Sequence, residues 1–141
     1  MYLSFYFWRK PLDQLLPNNV SQTELLDALD RTHAWEERSL NEHLKNTQNQ
    51  AIYAVGHGGT DHDLRKKSIE HLMSLSFDGL AIGLFMSKWL TRSGGSLGKN
   101  HDEMQEVLSK IGPILPNDKP VHLLGIGDPQ GIENSVQYGI G

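Results

Sequence analysis

Hydrophobic residues in this chain come in two rhythms, short unbroken runs and helically spaced stripes, and residues 51–82 alternate them most clearly. Residues 51–55 (AIYAV) form a short run of β-favouring residues that stops at Gly56, which predicts a buried strand. Gly56, Gly58 and Gly59 follow with His57 held between them, a backbone able to turn sharply or to let a ligand approach closely. Leu64, Ile69, Leu72 and Met73 then recur at helical spacing, with Thr60 or Asp61 as the cap. Arg65, Lys66, Lys67 and Glu70 are left for solvent. Residues 77–82 make a second buried run. Strand, glycine-rich loop, helix and strand in that order predict a βαβ unit, whose ligand face is the carboxyl end of its strands.

The same reading extends in both directions. Residues 1–8 (MYLSFYFW) are densely aromatic and read as a first strand; Arg9 and Lys10 follow the apolar run, the wrong order for a secretory signal. Residues 1–10 are thus an atypical strand or a start unrelated to the rest, and 11–141 the domain proper. Residues 11–17 (PLDQLLP) form a connector carrying Asp13. Ser21 or Thr23 caps a helix over 24–45, with Leu25, Leu26, Leu29, Trp35, Leu40 and Leu44 along one broad face. Residues 83–93 are apolar with two basic residues and lead into GGSLGKN. A helix is predicted over 102–111 on Met104, Val107, Leu108 and Ile111, a strand over 121–126, and a helix from Pro129 to near Tyr138. Strands and helices alternate as in a parallel α/β sheet or barrel.

Composition narrows the function classes. The 141 residues make one domain at most, with 38% hydrophobic and 21% charged residues. A formal charge of -4 argues against binding nucleic acid by electrostatics alone. The absence of cysteine excludes a disulfide framework and a thiolate metal site and permits a reducing, cytoplasmic setting. No apolar stretch spans a bilayer, so no membrane partner is expected.

Two chemistries can be drawn from the residues themselves. His57-Gly58-Gly59 suits an oxyanion-hole loop, and residues 94–98 (GGSLG) match a G-x-S-x-G nucleophile elbow, with Ser96, Asp102 and His122 in the chain order of an esterase triad. The elbow requires a strand immediately before the serine, and residues 90–93 make a weak one. His57, Asp61, His62 and Asp63 would suit zinc or iron. Carboxylates at 61 and 63 are also what an ordinary helix start carries. Plainer roles exist for the rest: Asp13 capping a turn, Gly94 and Gly95 as turn formers, Arg31, Arg38, Lys66 and Lys67 on solvated faces, and Met73, Met86 and Met104 in the core.

Several motifs in a fixed order carry a more specific reading. VGHGGTDHDLRKKSIEHL, SFDGLAIG, GGSLGKN and DKPVHLLGIGDPQGIENSVQYGIG, with PLDQLLP and RTHAWEERSLNEH before them, together resemble the middle of a bacterial tRNA-guanine transglycosylase, the queuine tRNA-ribosyltransferase family. The resemblance covers about 11–141. It implies roughly the second half of a TIM-type (β/α) barrel, and a base exchange in which an aspartate displaces guanine at the anticodon wobble position before a 7-deazaguanine base takes its place. It implies that Asp13 and His57 meet the base and that Gly94, Gly95 and the backbone of Ser96 and Leu97 line the pocket. Gly125 to Gly127 would end the next barrel strand.

The departures are equally specific. The family's nucleophilic aspartate, its D-S-G-G-F-Q motif and its C-x-C-x-x-C zinc site have no match here, so the resemblance implies no catalytic residue and no cofactor in this chain. Residues 84–93 read as an insertion within A-I-G-G-S-L-G, Gln14 and Leu15 replace a glutamate and a cysteine, and Lys99 stands near a usual glutamate. The implied partners are tRNA and a 7-deazaguanine base, with a homodimer or pairing to a full-length subunit. A fragment inactive alone and poorly stable is one expectation; a non-catalytic accessory module is the other.

Overall fold

The strand β2 (Ala51–Gly56) has neighbours on both edges, and the rest of the sheet is laid out from it. The computed structural model describes residues 8–14, 16, 20–59, 61–83, 97–126 and 128–141. In chain order the elements are β1 (Trp8–Arg9), α1 (Gln22–Lys45), β2, α2 (His62–Met73), β3 (Gly79–Gly83), α3 (Leu97–Ile111), a 3₁₀ turn (Gly112–Ile114), β4 (Val121–Leu124) and α4 (Pro129–Val136). The strands lie in the order β1-β2-β3-β4 and every pair is parallel. Each strand is therefore added on the same side of the last through a helical crossover, the winding of a (β/α) barrel rather than of a doubly wound sheet. The fold is an α/β arc of such a barrel, and its described sheet is not closed.

Register explains how the two sheet faces differ. Ala54, Leu80 and Val121 share one row, and Ile82 and Leu123 another; all five belong to one buried cluster with Ile69 and Leu72 of α2 and Met104, Leu108 and Ile111 of α3. The short runs are apolar because helices cover them, as parallel strands require. The opposite face carries the row Val55, Ala81 and His122.

Element ends depart from the sequence expectation for local reasons. β3 starts at Gly79, because Phe77 is buried in the core and Asp78 makes a reciprocal pair with Ile52: the Ile52 N–H donates to Asp78 Oδ2 at 2.8 Å and the Asp78 N–H to Ile52 O at 3.0 Å. α3 begins at Leu97 rather than near 102, and β4 ends at Leu124, where Gly125 takes a φ of +82°. The first strand includes only Trp8 and Arg9 among the described residues; 1–7 lie outside them, as does the proposed insertion at 84–93. On α1 the buried stripe is Leu29, Thr32, Glu36, Leu40 and His43 at three- and four-residue steps. Leu26 and Leu44, expected on the apolar face, are 41% and 51% exposed, since they lie off that stripe. Among the described residues no helix is long and apolar enough to cross a membrane.

Asp61 is the cap of α2: its side chain accepts from the Leu64 N–H at 3.0 Å. Asp61→Ala is expected to lower stability by about 1 kcal/mol and Asp61→Asn, another good cap, by only a few tenths. Urea denaturation of the two variants checks the difference.

Candidate functional site

The carboxyl ends of β1 and β2 bring Asp13 and His57 together. β2 stops at Gly56, and the turn that follows is tied down from beneath by Ser68 of α2, which is fully buried: its Oγ accepts the His57 N–H at 3.2 Å and lies 2.9 Å from His33 Nε2. Gly58 and Gly59 reverse the chain with φ of +136° and +59°, and the Asp61 N–H closes the turn on Gly58 O at 3.0 Å. The segment after β1 is pinned to α1, where the Gln14 N–H donates to Thr32 Oγ1 at 3.0 Å and Arg31 Nη1 to Gln14 Oε1 at 2.5 Å. Asp13 is thereby held with one oxygen 3.2 Å from Lys10 Nζ and the other 3.3 Å from His57 Nε2.

That last contact is an attraction rather than a well-aligned hydrogen bond, since His57 Nε2 is buried without one among the described residues. Its neighbour still acts on the acid. His57 first, and Lys10 after it, hold the Asp13 carboxyl below its ordinary range against the opposing effect of burial. The result is an ionised acceptor next to a ring nitrogen with spare hydrogen-bonding capacity, on a glycine turn that lets a flat ligand come close. A cleft beside the turn is lined by Leu25 and Thr32 of α1, Gln14, His57, Gly59 and Arg65.

Arg65 corrects the sequence reading, which left it to solvent. It is only 4% exposed, its Nε donating to Gly59 O at 2.5 Å and its Nη2 to Gly83 O at 3.0 Å, and burial pulls its pKa down to about 10. Its neighbours Lys66 and Lys67 are exposed, as expected.

Glu36 is a second buried polar group that periodicity alone did not single out. Ile52 turns its N–H toward β3, so Val55, an odd number of residues on, turns its own toward β1; β1 pairs no further than Ile52, and Glu36 Oε1 takes the Val55 N–H at 2.7 Å. Burial, reinforced by the charge of Asp13, pushes the Glu36 carboxyl up to about 8. Its other oxygen is buried without a hydrogen bond among the described residues. The available signal was its place four residues after Thr32 and four before Leu40, a charge on an otherwise buried stripe. His33 completes the polar layer between α1 and α2: burial and the neighbouring His71 and His57 push its pKa down to about 4, with the His71 ring 4.7 Å away.

The remaining candidates are not assembled with this pair. Asp61 is used as a cap, His62 Nε2 lies 3.1 Å from Lys110 O, and among the described residues no group of three or more His, Asp or Glu is placed to hold a metal. Asp102 is exposed on α3, and His122 lies on β4. Gly94, Gly95 and Ser96 lie outside the described residues, and Leu97 is the first residue of α3.

Comparison with known proteins gives a consistent result. Residues 10–140 match the sequence profile of the queuine tRNA-ribosyltransferase family. A queuine tRNA-ribosyltransferase of Protochlamydia amoebophila is 53% identical over 130 residues, which are 92% of this chain and 31% of that protein. Proteins of the same name from Chlamydia felis and Chlamydia trachomatis serovar L2 are 42% and 43% identical over 130 residues, again 92% of this chain and 32% of theirs. The chain spans about a third of the length of the curated relatives it matches.

Proposed function

The chain belongs to the queuine tRNA-ribosyltransferase family, and from that premise we propose that it supplies the base-recognition part of a tRNA-modifying transferase of the queuosine pathway. The reaction is exchange of guanine at the anticodon wobble position for a 7-deazaguanine base, with tRNA as the second substrate and the cytoplasm as the setting. The convergence of Asp13 and His57 at 3.3 Å is the observation that carries this reading.

The chemistry follows from the edges of the base. A guanine-type edge presents a ring N–H and an exocyclic N–H side by side, and an ionised carboxylate accepts both. Asp13, held below its ordinary pKa, is ionised at neutral pH. His57, with a buried nitrogen to spare, meets the neighbouring carbonyl, and the family resemblance assigns the pocket wall to Gly94, Gly95 and the backbone of Ser96 and Leu97. Binding the base flat and dry strengthens these contacts and rejects bases that lack the donor pair.

Recognition is all that these residues do. The nucleophile that forms the covalent ribosyl intermediate has no counterpart among them, so the chain is inactive alone and works within a complete barrel or beside a full-length subunit. A zinc site built on cysteines does not fit this chain, which has none, and no step is assigned to a metal.

The test is guanine incorporation into tRNA by the chain within a complete barrel or beside a full-length subunit. Asp13→Asn replaces one acceptor oxygen with a donor and is expected to lower kcat/KM for the base about 100-fold, with little change in stability. An unchanged kcat/KM in the Asn variant, or no exchange by that wild-type assembly, would refute the proposal.

A further inference from the structure

A buried arginine is a poor choice for filling space. Removing a guanidinium from water is unfavourable unless its N–H groups find partners, and an apolar side chain would pack beside Leu64 and Ile69 without that penalty. Among the described residues Arg65 pairs with no carboxylate. Its two hydrogen bonds go to main-chain carbonyls, Gly59 O in the turn after β2 and Gly83 O at the end of β3. Those carbonyls belong to neighbouring βα connections, and a flat fork with diverging N–H groups is the side chain that can hold both at once. The turn makes room for it: a Cβ on Gly58 would stand 2.9 Å from Arg65 Cγ.

We propose that Arg65 is a positioning residue, whose guanidinium clamps the carboxyl ends of β2 and β3 together and so holds the turn at residues 57–59 in the geometry that meets the base. This rests on the base-recognition reading of Asp13 and His57. It assigns Arg65 no contact with the base; its action passes through the two carbonyls.

Hydrogen exchange resolved by residue tests the clamp in wild type, Arg65→Met and Arg65→Lys. The reporters are the His57 N–H, bonded to Ser68 Oγ, and the Asp61 N–H, bonded to Gly58 O; the reference is the Leu80 N–H, bonded to Pro120 O. Both variants are expected to speed exchange at the reporters by at least about tenfold, with less than about threefold change at Leu80. Unchanged reporters, or reporters that move only as much as Leu80, would overturn the clamp. Should the Met variant fail to fold, the Lys variant keeps the stem and a single charged donor and decides the question. A guanine titration followed on the His57 ring separates the two ideas. Binding weakened about tenfold in the Lys variant supports the clamp's role at the site. A wild-type ring that ignores guanine would overturn the base-recognition reading, while the amides still decide the clamp.

Discussion

Replacing Gly58 by alanine is expected to lower the unfolding free energy by about 4 kcal/mol, against about 1 kcal/mol for the same change at Gly59. Both glycines have positive φ, so the difference lies in what a side chain would meet. At Gly58, φ is +136° and the added Cβ would lie 2.5 Å from the Arg65 backbone nitrogen and 2.9 Å from its Cα. Backbone in the middle of a helical turn cannot swing aside, so the start of α2 must move. That movement breaks the Asp61 N–H bond to Gly58 O and pulls Arg65 off Gly59 and Gly83. At Gly59, φ is +59°, within the left-handed basin, and among the described residues the Cβ would meet only the Leu25 methyls at 3.7 and 3.8 Å. Urea unfolding of the two variants measures the ratio; equal losses would mean that the turn yields more easily than its contacts indicate.

Glu36→Gln is expected to stabilise the protein by about 2 kcal/mol at pH 7.5, whereas Glu36→Ala destabilises it. The folded carboxyl titrates near 8 instead of 4.5, so between those values the folded chain holds a proton that the unfolded chain has released. Stability therefore falls as pH rises through that window. Glutamine keeps the acceptor for the Val55 N–H and never ionises, which removes the decline. Alanine leaves that N–H buried and unpaired. His33 acts with the opposite sign, because its pKa is pushed down to about 4 from 6.5. Between those values the unfolded state binds the extra proton, and stability rises with pH. The two slopes oppose one another up to about 6.5, above which only the decline from Glu36 remains. Unfolding curves across pH 4 to 8.5 should show the wild type losing stability above 6.5 and the Gln variant staying level; parallel curves would place the titration elsewhere.

The sequence was most legible where burial and periodicity agree. Residues 51–55 and 77–82 are short apolar runs covered by helices, and their place in the sheet follows from length and punctuation alone. It was least legible where a polar side chain is buried by a partner distant in sequence. Arg65 opens the run Arg65-Lys66-Lys67, and nothing local distinguishes it from two solvated neighbours; its burial depends on carbonyls that only the folded turn and β3 supply. Glu36 is buried because β1 is too short to pair with Val55, a fact about another element. Asp13 and His57 have no spacing rule connecting them, and only the resemblance marked both. Leu26 and Leu44 show the converse limit: their spacing predicts a broad leucine-rich face where the sheet takes a narrower stripe.

Strand order that simply follows chain order also bears on how the molecule is made. Each strand pairs with the one synthesised just before it, so β2, α2 and β3 can dock while the ribosome is still producing α3. Until β4 emerges, the far edge of β3 has no mate. At about 5–20 residues per second that wait is on the order of a few seconds. During it, the strip Leu80, Ala81 and Ile82, wholly buried once folding is complete, is the part of the nascent chain most in need of shielding by a chaperone.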